Sequence, residues 1–222
     1  MEVLVIANQG DDDPGLVGAR LRERGYRLSL VHREDHASWP AVETVDMVLT
    51  LGSEWSVYWD HVTPFVEGEA AFLRRVHQAG LPLLGICFGA QVLAHALGGR
   101  VHRAQQLEIG WFEVTGSPVA AIENGPWFEW HVDTFSLPPG AIELARSNAG
   151  PQAILAGRTF ATQFHPEVDE SIVARWAHGG RPALEAMGTT LDDLLERTCA
   201  EMKAAPERAQ RLVDWFLDEV AG

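Results

Sequence analysis

The sequence is poor in cysteine, with only Cys87 and Cys199 in 222 residues. Two thiols exclude a disulfide framework and a cysteine-built zinc site, and they fit a reducing compartment. Positive charge is also scarce. Lysine and arginine total 17 against 31 aspartates and glutamates, a net charge of −14 with histidine neutral. So acidic a surface repels phosphate backbones and anionic lipid, which counts against broad nucleic-acid or membrane binding. No apolar run of 18 residues occurs, so an ordinary membrane helix is not expected. The apolar start Met1 to Ala7 lacks a basic flank and runs into Asp11-Asp12-Asp13, so it does not read as a signal peptide. A cytoplasmic location is the expectation. Internal repeats and low-complexity linkers are missing too.

What is present is ordinary globular material, 46% hydrophobic and 22% charged, in a chain long enough to bury a core without staples. Glu2 to Ala7 is apolar and β-branched and reads as a buried strand. Asp13 before Pro14 predicts an N-cap with proline at the first helical position, and Gly25 ends that helix. Strands follow at Arg27 to Val31, Met47 to Leu51 and Leu81 to Ile86, with helices at Phe65 to Gln78 and Ala90 to Leu97. This alternation predicts an α/β fold, a mainly parallel sheet flanked by helices. From Arg100 to Phe164 the pattern is shorter and strand-like, and from Asp169 onward it is helical. One domain is expected over 1–222, with 179–222 as a helical C-terminal extension. Gly179-Gly180-Arg181-Pro182 is a hinge or, as we prefer, a tight loop.

Gly85-Ile86-Cys87-Phe88-Gly89 falls where a strand ends and a helix begins. Flanking glycines permit the sharp turn of a nucleophile elbow, and a helix N-terminus favours thiolate. The Phe88 N–H is then free to face an oxyanion. Taken alone, Cys87 fits a buried structural cysteine equally well. A second segment changes that. Thr159 to Phe164 reads as a strand and is followed by His165-Pro166-Glu167. If Glu167 is extended, it and His165 project to one side, and Glu167 can hold one ring nitrogen while the other faces Cys87.

Gly85-Ile86-Cys87-Phe88-Gly89-Ala90-Gln91 and Gln163-Phe164-His165-Pro166-Glu167-Val168 together resemble the paired signatures of class I (triad) glutamine amidotransferases. The nearest subgroup comprises standalone domains similar to the glutaminase half of GMP synthase. Glu108-Ile109-Gly110-Trp111 and the segment Trp130 to Gly140 resemble its intermediate motifs. The resemblance implies a flavodoxin-like fold and a Cys87–His165–Glu167 triad that hydrolyses the glutamine amide through a γ-glutamyl thioester. It implies oxyanion donors at Phe88 and at Gly52-Ser53, and substrate contacts from Gln91 and from Trp130, His131, Val132 and Asp133. Neither a metal nor a cofactor is implied. Two departures stand out. Gly52-Ser53-Glu54 occupies the place of a usual Gly-Gly-Pro, and His131-Val132-Asp133 that of His-Gly-Asp. A serine at φ > 0 is strained, and Glu54 adds negative charge beside an expected carboxylate site, so weak turnover of glutamine by the isolated chain is expected.

Three functions remain open at this point. One is a glutaminase feeding ammonia to a partner synthetase, since no P-loop or Ser-Gly-Gly nucleotide signature occurs here. Another is a freestanding γ-glutamyl hydrolase or peptidase, and the third a non-catalytic binding or regulatory domain. Weaker signals have plainer readings. His32 and His36 are solvated loop residues, Asp11 to Asp13 a capping loop, Cys199 a packed helix residue and His95 a packing or surface residue. Trp55, Trp59, Trp111, Trp127 and Trp130 are core or the rim of a docking surface, with Trp55 and Trp59 at helical spacing.

Overall fold

The opening run forms β1 (Glu2–Ala7) in the computed structural model, which describes residues 1–123 and 125–222. The chain continues through α1 (Gly15–Glu23), β2 (Arg27–His32), β3 (Met47–Thr50), α2 (Thr63–Gln78), β4 (Leu83–Ile86) and α3 (Phe88–Ala96). After these come β5 (Val101–Phe112), α4 (Ala120–Glu123), β6 (Trp127–Phe135), β7 (Ile142–Arg146), β8 (Pro151–Ala156) and β9 (Thr159–Thr162). The helices α5 (Glu170–Gly179), α6 (Arg181–Ala186), α7 (Leu191–Glu201) and α8 (Ala205–Trp215) complete it.

Seven strands form one sheet in the order β2-β1-β3-β4-β9-β8-β7. The first five are mutually parallel, and β8 and β7 finish one edge antiparallel. The side-chain alternation of β1 explains its continuous apolar run. Val3 and Val5 pack with Val17 and Leu21 of α1 and Leu212 and Val213 of α8. Leu4 and Ile6 face Val66, Ala70 and Leu73 of α2 and Val92 and Leu93 of α3. β5 and β6 form a separate antiparallel ribbon, covered by α5, α6 and α7 through Ile172, Val173, Leu184 and Leu194.

Residues 179–222 therefore contribute to two places. α6 and α7 lie on the ribbon, while α8 returns to the sheet beside α1, where Asp214 pairs with Arg20 at 2.7 Å and Arg24 at 2.6 Å.

Several local expectations shift. Proline does not open α1: Pro14 sits at the N-cap, and Asp13 Oδ1 accepts from the Gly15 N–H at 2.9 Å. Trp55 and Trp59 lie in an irregular loop, because the Ser53 hydroxyl takes the Trp55 N–H at 3.1 Å and turns the chain. β9 stops at Thr162, whose hydroxyl donates to the Phe164 carbonyl at 2.9 Å. Cys199 is exposed, since Leu194 and Thr198 form the inward face of α7.

Candidate active site

Three adjacent parallel strands deliver the predicted residues to one edge. β3 pairs with β4 through Thr50 and Gly85, and β4 with β9 through Ile86 and Thr162. Their C-terminal ends run into Gly52-Ser53, Cys87-Phe88 and His165-Glu167 respectively. Such strand ends are where open α/β sheets bind ligands.

Cys87 makes the strand-to-helix turn with φ 51, the only positive φ among the described non-glycine residues. Its N–H donates to the Thr162 carbonyl at 2.7 Å and its carbonyl accepts from the Gln91 N–H at 3.0 Å, which holds the strained turn in place. Phe88 is the first residue of α3, so its N–H has no partner within the helix. Gln163 Nε2 donates to Cys87 Sγ at 3.5 Å.

His165 is anchored by its backbone, whose N–H donates to the Phe128 carbonyl of the ribbon at 2.8 Å. Its Nδ1 lies 2.7 Å from Glu167 Oε1, while Nε2 is buried with no hydrogen-bond partner. The ring is edge-on to Trp176 at 4.8 Å. Glu167 lies in a turn and not in extended chain, yet its carboxylate still reaches the imidazole. Its carbonyl accepts from the Leu16 N–H at 2.8 Å, so α1 abuts Glu167, and a Cβ on Gly15 would lie 2.0 Å from that carbonyl oxygen. Burial lowers the proton affinity of His165, but the Glu167 carboxylate and Cys87 outweigh it and hold the imidazole well above its ordinary pKa.

Gly52 sits against this pair, since a Cβ there would lie 3.2 Å from His165 Cε1 and 3.7 Å from Cys87 Cβ. Neither Gly52 nor Ser53 has a positive φ, so the strain expected of a serine in this loop does not arise. Glu54 is exposed. Among the described residues, neither the Gly52 nor the Ser53 N–H has a hydrogen-bond partner.

Cys87 opens onto two cavities. One, of about 260 Å³, is lined by Gln91, Trp130, His131, Val132 and Asp133, every residue expected to bind substrate. The other, of about 500 Å³, is lined by His165, Trp130, Trp176, Asp11, Arg175 and Gly180. Ribbon pairing breaks between Arg103 and Glu108, opposite Val132. Gln91 Nε2 donates to the Asp133 carbonyl at 3.3 Å and to Gln163 Oε1 at 3.2 Å, and Tyr58 donates to the Asp133 carboxylate at 2.8 Å. Of the five tryptophans, Trp55, Trp59 and Trp130 line the smaller cavity, while Trp127 is buried and stacked on Phe164 at 4.6 Å.

Beneath the smaller cavity lies a cluster missed in the sequence. Glu108, Glu129 and His131 are all buried, and their ligand atoms fall within 4.8 Å of one another, close enough to hold a cation. His131 Nε2 stands 3.3 Å from both carboxylates, and its Nδ1 is 2.8 Å from the Asp133 carbonyl. Burial pushes Glu129 up to about 7. Burial opposes the His131 proton, but Glu108 and Glu129 raise its pKa to about 10, so the imidazolium itself supplies the charge between them. A buried Arg33, paired with Glu69 at 2.9 Å, was also missed. Neither group could be found by hydrophobic periodicity, because Glu108 meets Glu129 and His131 only through the pairing of β5 with β6, and Arg33 and Glu69 lie 36 residues apart. His32 contacts Asp12 at 3.3 Å and His36 packs on Trp39 and Phe65, so they share no ligand site. Asp11 meets Arg175 and Trp176, and His95 meets Glu67.

A family model for glutamine amidotransferase class-I matches residues 16–172. The GMP synthase [glutamine-hydrolyzing] of Aquifex aeolicus is 29% identical over 181 residues, covering 78% of this chain and 34% of its own length. That of Thermomicrobium roseum is 35% identical over 175 residues, covering 74% and 31%. The chain thus spans about a third of the length of the curated relatives it matches. A solved glutamine amidotransferase from Thermotoga maritima superposes with TM-score 0.86 at 27% identity, covering 99% of both chains. One from Methylobacillus flagellatus, 23% identical, shares the fold with TM-score 0.87 over 99% of this chain and 95% of its own. No described helix is long and apolar enough to cross a membrane.

Proposed function

The chain belongs to the class-I glutamine amidotransferase family, and from that premise we propose that it hydrolyses the side-chain amide of glutamine with Cys87, His165 and Glu167. The observation that carries this is the buried imidazole, held at Nδ1 by Glu167 at 2.7 Å and unpartnered at Nε2, beside a cysteine in a strained elbow.

The γ-carboxamide enters from the smaller cavity, with its α-amino and carboxylate groups against Gln91 and Trp130 to Asp133. His165 takes the Cys87 proton as sulfur adds to the carbonyl carbon, and the oxyanion meets N–H groups of Phe88 and the Gly52-Ser53 loop. Collapse breaks the C–N bond, and His165 returns the proton to departing ammonia. Water then adds to the γ-glutamyl thioester with His165 as base, releasing glutamate and the thiol. Glu167 stabilises the imidazolium and fixes its tautomer without taking the proton. The ammonia would pass to a synthetase, a reading supported by the likeness to glutamine-hydrolyzing GMP synthases.

One observation favours a second reading, hydrolysis of larger γ-glutamyl amides. His165 delivers the proton to the leaving nitrogen, and it lines the 500 Å³ cavity, far more room than ammonia needs. The test is glutamate release from glutamine and from γ-glutamyl peptides by wild type, Cys87→Ala and Cys199→Ala. Loss only in Cys87→Ala supports the triad. Turnover by Cys87→Ala at the wild-type rate refutes it, and peptide preference selects the second reading.

A further inference from the structure

Arg33 opens the turn that follows β2, and it is fully buried. Its Nε donates to Glu69 Oε2 of α2 at 2.9 Å. Nη1 donates to the Gly52 carbonyl at 3.1 Å and to Asn8 Oδ1, and Nη2 donates to the Leu51 carbonyl at 3.0 Å and to Thr50 Oγ1 at 3.5 Å. All five guanidinium donors are thereby used. The same guanidinium carbon lies 5.0 Å from the centre of the Phe88 ring. One buried cation therefore touches both halves of the oxyanion site, the loop after β3 and the first residue of α3.

Peptide geometry gives this contact a direction. In a trans peptide the C=O and N–H point to opposite sides. A Gly52 carbonyl held by Arg33 turns the Ser53 N–H away from Arg33, and a Leu51 carbonyl held the same way turns the Gly52 N–H. Both N–H groups lack protein partners, and the Gly52 backbone borders Cys87 and His165. The Arg33 charge is matched by Glu69, so its effect here is orientation more than field.

We propose that Arg33 is a positioning residue for this hydrolysis, clamping the Leu51 and Gly52 carbonyls so that the loop N–H groups face the oxyanion formed at Cys87. The proposal rests on the thioester reading above. It also explains how the chain does without a proline at position 54. Proline would restrict itself and the residue before it. Here the Ser53 hydroxyl turn and the Arg33 clamp supply that restraint from beside and below the loop.

The test uses Arg33→Lys, which keeps a cation opposite Glu69 but lacks the planar fork, and the double variant Arg33→Met with Glu69→Leu, which removes the pair together. Three readouts are taken: kcat and KM for glutamine, the rate of iodoacetamide alkylation at Cys87 followed by mass, and the melting temperature. Alkylation displaces iodide at carbon and forms no oxyanion, so it reports the nucleophile alone. The expected result is a loss of about 10²-fold in kcat, the scale of one misdirected oxyanion donor. KM and the alkylation rate should stay within a few-fold of wild type. If the double variant does not fold, Arg33→Lys alone decides. An unchanged kcat in Arg33→Lys overturns the proposal, as does alkylation that slows in step with kcat, which marks a general deformation of the elbow. A wild-type chain that alkylates at Cys87 but turns over neither glutamine nor γ-glutamyl peptides overturns the function itself and this proposal with it.

Discussion

The close approach of α3 to β3 makes Gly89→Ala a sharp probe of how packing sets the chemistry. A Cβ at Gly89 would lie 2.3 Å from the Thr50 carbonyl oxygen and 2.8 Å from Thr50 C and Cγ2. Ordinary contact begins near 3.4 Å, so helix and strand must separate by about 1 Å. The obstacle is mostly backbone held in the sheet, and no flexible tip can swing aside. Overpacking of this kind costs roughly 1–3 kcal/mol. For a chain of this length about 2 kcal/mol lowers Tm by roughly 4–8 °C. The kinetic effect should be larger than the stability effect suggests. Cys87 caps α3 and the Phe88 N–H begins it, while β3 runs on into Gly52 and Ser53, so the shift would pull the two halves of the proposed oxyanion site apart. A misplacement of about 1 Å can cost on the order of 10²-fold in rate. Gly85→Ala is the graded comparison, because its Cβ would meet Ala90 N and Gly89 backbone at 3.2 Å, a fit that needs only a few tenths of an ångström. Glutamate release and thermal melting are measured on both variants. A Gly89→Ala protein that melts lower but keeps kcat within three-fold of wild type would falsify the coupling, and a larger loss in Gly85→Ala would reverse the assignment of the contact.

Glu167→Gln should reduce kcat less than His165→Ala and move the His165 limb of the pH–rate profile to lower pH, since the carboxylate holds the imidazole pKa up; an unmoved limb contradicts this. His131, raised from 6.5 to about 10, contributes stability that is complete below about 6.5 and is lost as pH rises through about 10, so Tm should fall over that window. The double variant Glu108→Gln with Glu129→Gln should flatten that fall, and an equally steep curve counts against the cluster as its source. Ser53→Gly with Glu54→Pro should leave kcat for glutamine near wild type, because Ser53 already avoids positive φ; a ten-fold gain would show that the loop is mis-set.

Much of the architecture was legible because one physical pattern dominated each element. β3, β4 and β1 from Val3 onward are uniformly buried, and their unbroken apolar runs say so directly. Misreadings fell where a local polar contact outweighed periodicity. Asp13 accepts the Gly15 N–H and shifts the start of α1. Cys199 shares an amphipathic helix with Leu194 and Thr198, and a rotation of about 100° from Thr198 is enough to expose it.

The grouping of Cys87 with His165 and Glu167 was legible for a different reason: their motifs follow β4 and β9, which are neighbours, so two short segments 78 positions apart converge on one edge. What surrounds the triad was not legible. Arg33 follows a strand in a stretch that reads as a solvated polar loop, and its partner Glu69 lies on a helix 36 residues later. Only the packing of the turn after β2 against α2 brings Arg33 and Glu69 together beside Gly52. The departure from Gly-Gly-Pro looked like damage when read as three residues in isolation. In the fold the Leu51 and Gly52 carbonyls rest on a saturated guanidinium, and on the proposal above the rigidity a proline would lend from within the chain comes from a charge pair outside it.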